Sequence, residues 1–153
     1  MRASTSPPMP RPFPFIPPCL ATLRPKPPGG NRYLHEVKLD GHRLQIHKVG
    51  AVVRLFARNG HECTGRFGFV AGAVVRLSRR DVVIDGKLVC SDRSRRPDFY
   101  DLTFRRYAPE DLKVWAFDLL SLNGMDLRAF PLVSGGGSLR RCCGCLGIRV
   151  SVL

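Results

Sequence analysis

Glu36-Val37-Lys38-Leu39-Asp40-Gly41-His42-Arg43 is the stretch whose residue types and spacing could do chemistry. If Tyr33 to Asp40 is a strand, alternation along the pleat sets Glu36, Lys38 and Asp40 on one face and Tyr33, His35, Val37 and Leu39 on the other. A lone lysine then stands between two carboxylates. A turn at Asp40-Gly41 returns the chain with Arg43 beside the same place. A flexible ammonium that can shed its proton there is a nucleophile. The same pattern, taken without its surroundings, is a surface hairpin with a solvated charged face.

The order Glu-x-Lys-x-Asp-Gly-x-Arg resembles the nucleotide-binding lysine motif of covalent nucleotidyltransferases, the superfamily of ATP-dependent DNA ligases, RNA ligases and mRNA capping enzymes. Later blocks narrow the resemblance to ATP-dependent DNA ligases, especially the ligase domains of bacterial end-joining systems. Leu55-Phe56-Ala57-Arg58-Asn59-Gly60 resembles that family's Ser-Arg-Asn-Gly block. Phe117-Asp118-Leu119-Leu120 and Gly124-Met125-Asp126-Leu127-Arg128-Ala129-Phe130-Pro131-Leu132 are similar to its Phe-Asp-Leu-Leu block and the sequel. A capping-type guanylyltransferase fits Lys38 to Arg43 but not these later residues.

The resemblance implies a lysyl-adenylate, formed when neutral Lys38 attacks the α-phosphate of ATP, with Mg2+ screening the phosphates. It implies Glu36 on the adenine side, Arg43 on the ribose, Arg58 at a phosphate or DNA end, Phe117 stacked on adenine, and Asp40 fixing the turn. Transfer of the adenylate to a DNA nick, and sealing in repair and recombination, would follow. DNA nicks or ends are the implied substrate and end-joining or repair proteins the implied partners. No residue is assigned as a metal ligand.

Two departures from the family point to impaired catalysis. Asp85-Gly86-Lys87 stands where the resembling ligases carry Asp-Gly-Glu. An ammonium replaces an acceptor-only carboxylate there, which removes a ribose acceptor and metal ligand and adds positive charge beside the reactive lysine. It could attract phosphate, or point to solvent if the site is unused. Past Leu132 the family's later Glu-Gly and paired-lysine blocks find no match. The expectation is a truncated, catalytically weakened ligase, with a non-catalytic basic nucleic-acid binder as the alternative.

The elements that must position these residues can be read from periodicity. Alternation over Leu44 to Val49, a turn at Gly50-Ala51, and Val52 to Arg58 predict an antiparallel meander. Phe69 or Val70, Ala73 or Val74, and Leu77 fall at helical spacing within Gly65 to Leu77. Val82-Val83-Ile84 predicts a buried strand running into Asp85-Gly86-Lys87-Leu88-Val89-Cys90. Phe99 to Leu102 predicts a short helix, and Val114 to Leu120 a strand carrying Trp115 and Phe117 on one face. The implied fold class is α/β (α+β), a partial adenylation domain of antiparallel sheets with packed helices.

Residues 1–14 are read as a disordered proline-rich leader, 15–132 as the adenylation-domain portion and 133–153 as an unrelated, disordered Gly/Cys/Arg-rich tail. Phe15 to Leu23 resembles the segment that runs along the domain surface ahead of the bacterial ligase domains. The net charge of +13, from 25 Lys and Arg against 12 Asp and Glu, suits a polyanionic partner, since basic side chains gain affinity by releasing phosphate counterions. No apolar run is long enough for a membrane span, and the leader lacks a signal core. With no export signal, the 6 cysteines are expected to be free thiols in the cytoplasm. The Cys142-Cys143-Gly144-Cys145 spacing fits no usual zinc pattern.

Overall fold

A computed structural model describes residues 14–20, 22–30, 38–77, 81–91 and 98–129. Glu36, the leader to residue 13 and the tail lie outside the described residues. Five antiparallel strands form one sheet in the order β2-β1-β3-β4-β5: β1 His42–Val49, β2 Val52–Ala57, β3 Asp81–Cys90, β4 Leu112–Leu122 and β5 Met125–Asp126. Helices α1 (Gly68–Val75) and α2 (Phe99–Phe104) complete the mixed α/β fold.

The β1–β2 meander forms as its alternation predicts, with Gly50 supplying the positive φ of the turn. β3 takes the centre because Val82-Val83-Ile84 and Leu88-Val89-Cys90 can be buried on both faces. One face of the sheet presents Leu44, Ile46, Leu55, Ile84, Leu88, Val114 and Leu119 to a core closed by Val70 and Val74 of α1 and Leu102 of α2. Val70 and Val74 lie one helical turn apart, so α1 packs as expected despite Gly68 and Gly72. Asp98 caps α2 by accepting from the Asp101 N–H, and Asn123-Gly124, both at positive φ, make the tight turn from β4 to β5. Among the described residues no helix is long and apolar enough to cross a membrane.

The other sheet face is polar and is crossed by residues 15–19, a strap along the domain surface. Gln45 is buried, and its side chain mimics a strand edge: Nε2 donates to the Ile16 carbonyl at 2.8 Å while Oε1 accepts from the Ile16 N–H at 3.0 Å. Phe15 rests on Phe56, with ring centres 5.9 Å apart. Gln45→Ala should therefore cost about 2 kcal/mol, because both Ile16 backbone groups lose their partners. Limited proteolysis should then cut faster within residues 14–20, and an unchanged cleavage rate would show that the strap is held by other contacts.

One expectation fails at the key segment. Lys38 to Asp40 are not strand, and the regular strand begins only at His42 after a bend at Gly41. Gly41 does not adopt a left-handed turn conformation; a Cβ at this position would press into the Leu88 carbonyl. The glycine of the Asp-Gly pair is needed for close backbone approach to β3.

Candidate functional site

The polar face places Arg43 at its centre. Arg43 Nε donates to Asp85 Oδ1 at 3.1 Å and Nη2 to Asp85 Oδ2 at 2.8 Å, a two-pronged ion pair in which Asp85 is 4% and Arg43 22% exposed. Nη1 donates to the Cys19 carbonyl at 2.8 Å, tying the site to the strap. The guanidinium lies over the Phe117 ring, 5.5 Å from its centre.

Phe117 reaches this position through an irregularity in β4. Asp85 pairs with Asp118 and Gly86 with Ala116, so Phe117 is an extra residue opposite the Asp85/Gly86 step. Core-facing Ala116 and Leu119 are consequently separated by two half-buried residues instead of one. Such bulges re-aim a side chain beside functional sites. Trp115 and Phe117 flank core-facing Ala116 and share the polar face, as the sequence predicts; the extra residue is the feature that periodicity alone does not announce. Gly86 lets the two strands close here, since a Cβ would lie 2.7 Å from the Trp115 carbonyl. Asp118, beside Asp85, is held above the usual carboxylate range by burial, and its neighbour's charge adds to the effect.

Lys38 lies at the surface, its side chain 84% exposed and its Nζ 2.9 Å from Asp40 Oδ1. That bond from Lys38 holds the Asp40 carboxyl below its ordinary range. Lys87 does not point to solvent. It is partly buried and its Nζ donates to the Leu39 carbonyl at 2.6 Å, gripping the backbone between Lys38 and Asp40. Across the sheet it stands directly between Arg43 on β1 and Trp115 on β4.

Arg58 and Arg43 both line a cleft of about 690 Å³, together with His42, Asn59, Arg66 and Phe99. His42 packs edge-on to Phe99 at 5.5 Å, and burial, aided by Arg66, pushes its pKa below the ordinary value. A base with a depressed native pKa lets the unfolded chain bind the proton first, so stability should be full above about pH 6.5 and fall as the pH drops towards the native value. Thermal melts between about pH 5 and 7.5 should show this slope, and His42→Gln should flatten it. An identical slope in the variant would assign the effect to another group.

The structure thus brings Arg43 and Phe117 together on the polar face and ties the backbone beside Lys38 to Lys87, whereas Arg58 shares with Arg43 a cleft whose lining includes neither Phe117 nor Lys38. Sequence reasoning passed over Asp85 and Gln45. The Asp-Gly pair at Asp85-Gly86 was the available signal for the first; nothing local marks the second.

Comparison with known proteins gives the family. A family model described as ATP dependent DNA ligase domain matches residues 25–142. The multifunctional non-homologous end joining protein LigD of Pseudomonas aeruginosa is 39% identical over 120 residues, covering 77% of this chain and 14% of that protein. A probable DNA ligase of Beutenbergia cavernae is 37% identical over 124 residues, covering 75% of this chain and 24% of that protein. The ligase domain of M. tuberculosis LigD superposes with a TM-score of 0.64 at 27% identity over 76% of this chain and 38% of that structure. A mycobacterial DNA ligase D complexed with ATP and MES superposes equally, at 0.64 and 28% identity, covering 75% and 38%. The chain spans about a seventh to a quarter of these curated relatives, and with the family model matching most of the chain and the antiparallel sheet in agreement, it belongs to the ATP-dependent DNA ligase domain family.

Proposed function

We propose that this chain carries the ATP-binding front of a ligase adenylation domain, with Lys38 the acceptor of the adenylyl group and nicked or broken DNA the eventual substrate. The observation that carries this reading is the clustering of Arg43, Phe117 and Lys87 behind an exposed Lys38, in a chain whose structural relative was captured with ATP. Lys38 leaves Asp40 and attacks the α-phosphorus as a neutral amine. The ammonium first gives a proton to bulk water; an N–P bond then forms, the bond from the α-phosphorus to the bridging oxygen breaks, pyrophosphate departs with the electron pair, and the nitrogen sheds its second proton to water.

Arg43, fixed by Asp85, would address the ribose, and Phe117 the adenine once the guanidinium shifts from its ring. Arg58, at the cleft wall, would meet a phosphate or DNA end. Glu36 is proposed for the adenine side on the motif alone. The net charge of +13 would favour DNA through phosphate contacts, and end-joining or repair proteins are the partners this role would serve.

The described donors do not fit a protein-held magnesium ion. Asp85 is committed to Arg43 and Asp40 to Lys38, Lys87 occupies the glutamate position, and no three His, Cys, Asp or Glu side chains cluster among the described residues. Magnesium implied by the family would have to come on the triphosphate itself, with its own waters.

Incubation with ATP labelled at the α-phosphate, followed by denaturing electrophoresis, tests the reading. The expected result is an acid-labile labelled band formed with ATP and not with GTP. Retained, steeply salt-dependent DNA binding without any such band would favour the non-catalytic nucleic-acid binder.

A further inference from the structure

Lys87 is not part of the family's site chemistry, and its surroundings ask for an anion. It faces Arg43 directly across β1 and β3, and like charges in directly opposed positions repel. Arg43 already has Asp85, and Lys38 has Asp40. Among the described residues Lys87 has no carboxylate within ion-pair distance; its hydrogen bond goes to the neutral Leu39 carbonyl and leaves two ammonium protons to donate. Burial lowers its pKa, Lys38 and Arg43 lower it further, and Asp40 alone among its charged neighbours acts in the opposite direction. Asp118, the other carboxylate here among the described residues, interacts with Asp85 and Arg43. A bound phosphate would give Lys87 the anionic partner it lacks among the described residues.

We infer that Lys87, with Lys38, forms a phosphate-binding site that holds the nucleotide's triphosphate without a divalent cation. This inference rests on the ATP reading above and extends it: the side chain that removes a metal ligand supplies in its place the positive charge the metal would have brought. The hydrogen bond to Leu39 holds that charge against the backbone that follows Lys38, the residue whose Nζ must meet the α-phosphate. Phosphate oxygens accept strong charge-assisted bonds from such donors, and each would be lost on substitution.

The single tryptophan, Trp115, stands directly opposite Lys87 and provides a fluorescence reporter. The full chain is titrated with ATP in excess EDTA and again in excess Mg2+ at constant ionic strength, with adenosine as the ligand lacking phosphates and calorimetry as a second readout. The native chain should bind ATP with Kd values within about threefold in the two buffers and bind adenosine at least about tenfold more weakly. Lys87→Glu should lose about tenfold or more in EDTA and recover in Mg2+, and Lys87→Gln should weaken ATP binding in both buffers.

ATP binding by the native chain only in Mg2+ would overturn metal-free retention while leaving the ATP reading intact. Equal affinity for adenosine would overturn the phosphate site. No ATP binding in either buffer would overturn both readings. Circular dichroism of both Lys87 variants guards against misfolding, and the native chain's response to EDTA decides the question without either.

Discussion

Lys38→Ala should abolish the AMP adduct, a loss of roughly three orders of magnitude or more, while leaving the fold intact. Removal of a covalent nucleophile eliminates the intermediate, so the loss falls on chemistry rather than on binding. Arginine at the same position keeps the charge but cannot present a neutral amine, and should be equally inactive. The fold is spared because the Lys38 side chain is 84% exposed and outside the core. Melting curves and ATP titrations of both variants provide the check. Unchanged labelling would place the acceptor elsewhere, and a large drop in Tm would mean that Lys38 serves the fold.

Asp85→Ala carries the largest expected cost in stability. The carboxylate is 4% exposed and receives both the Nε and Nη2 donors of Arg43, so its loss leaves a guanidinium held only by the Cys19 carbonyl and the Phe117 face. Truncating one partner of a buried pair typically costs about 3–5 kcal/mol, and residual access of water to Arg43 places this case near about 3 kcal/mol. In a domain of this size that corresponds to a fall in Tm on the order of 10 °C. Asp85→Asn keeps the shape and one acceptor and should lose less. ATP affinity should drop in both variants because Arg43 is no longer aimed, and a truncation that costs less than about 0.5 kcal/mol would remove Asp85 as its anchor.

Local pattern fixes much of this fold and little of the site. The meander, the central strand and the two helices are legible because each is a run of apolar residues with one period, bounded by Gly50, Asp98 or Asn123-Gly124. The pairing of Arg43 with Asp85 joins residues 42 apart, and only the register of β1 on β3 creates it. Strict alternation likewise cannot announce the extra residue at Phe117, which arises from how β4 meets β3. Gln45 offers a polar residue in a strand, an ordinary sight until Ile16 is laid across it. Gly41 shows the opposite error: turn chemistry accounts for an Asp-Gly pair locally, whereas contact with the Leu88 carbonyl is what requires the glycine.

Lys38 and Lys87 both lie beside the proposed phosphates, and only one of them should become covalent. Peptide mapping by mass spectrometry after incubation with ATP, under conditions that preserve a phosphoramide, decides between them. The predicted result is AMP carried by the peptide containing Lys38, with the Lys87 peptide unmodified. AMP on Lys87, or saturating ATP binding with no modified lysine at all, would contradict the assignment of Lys38 as the adenylyl acceptor.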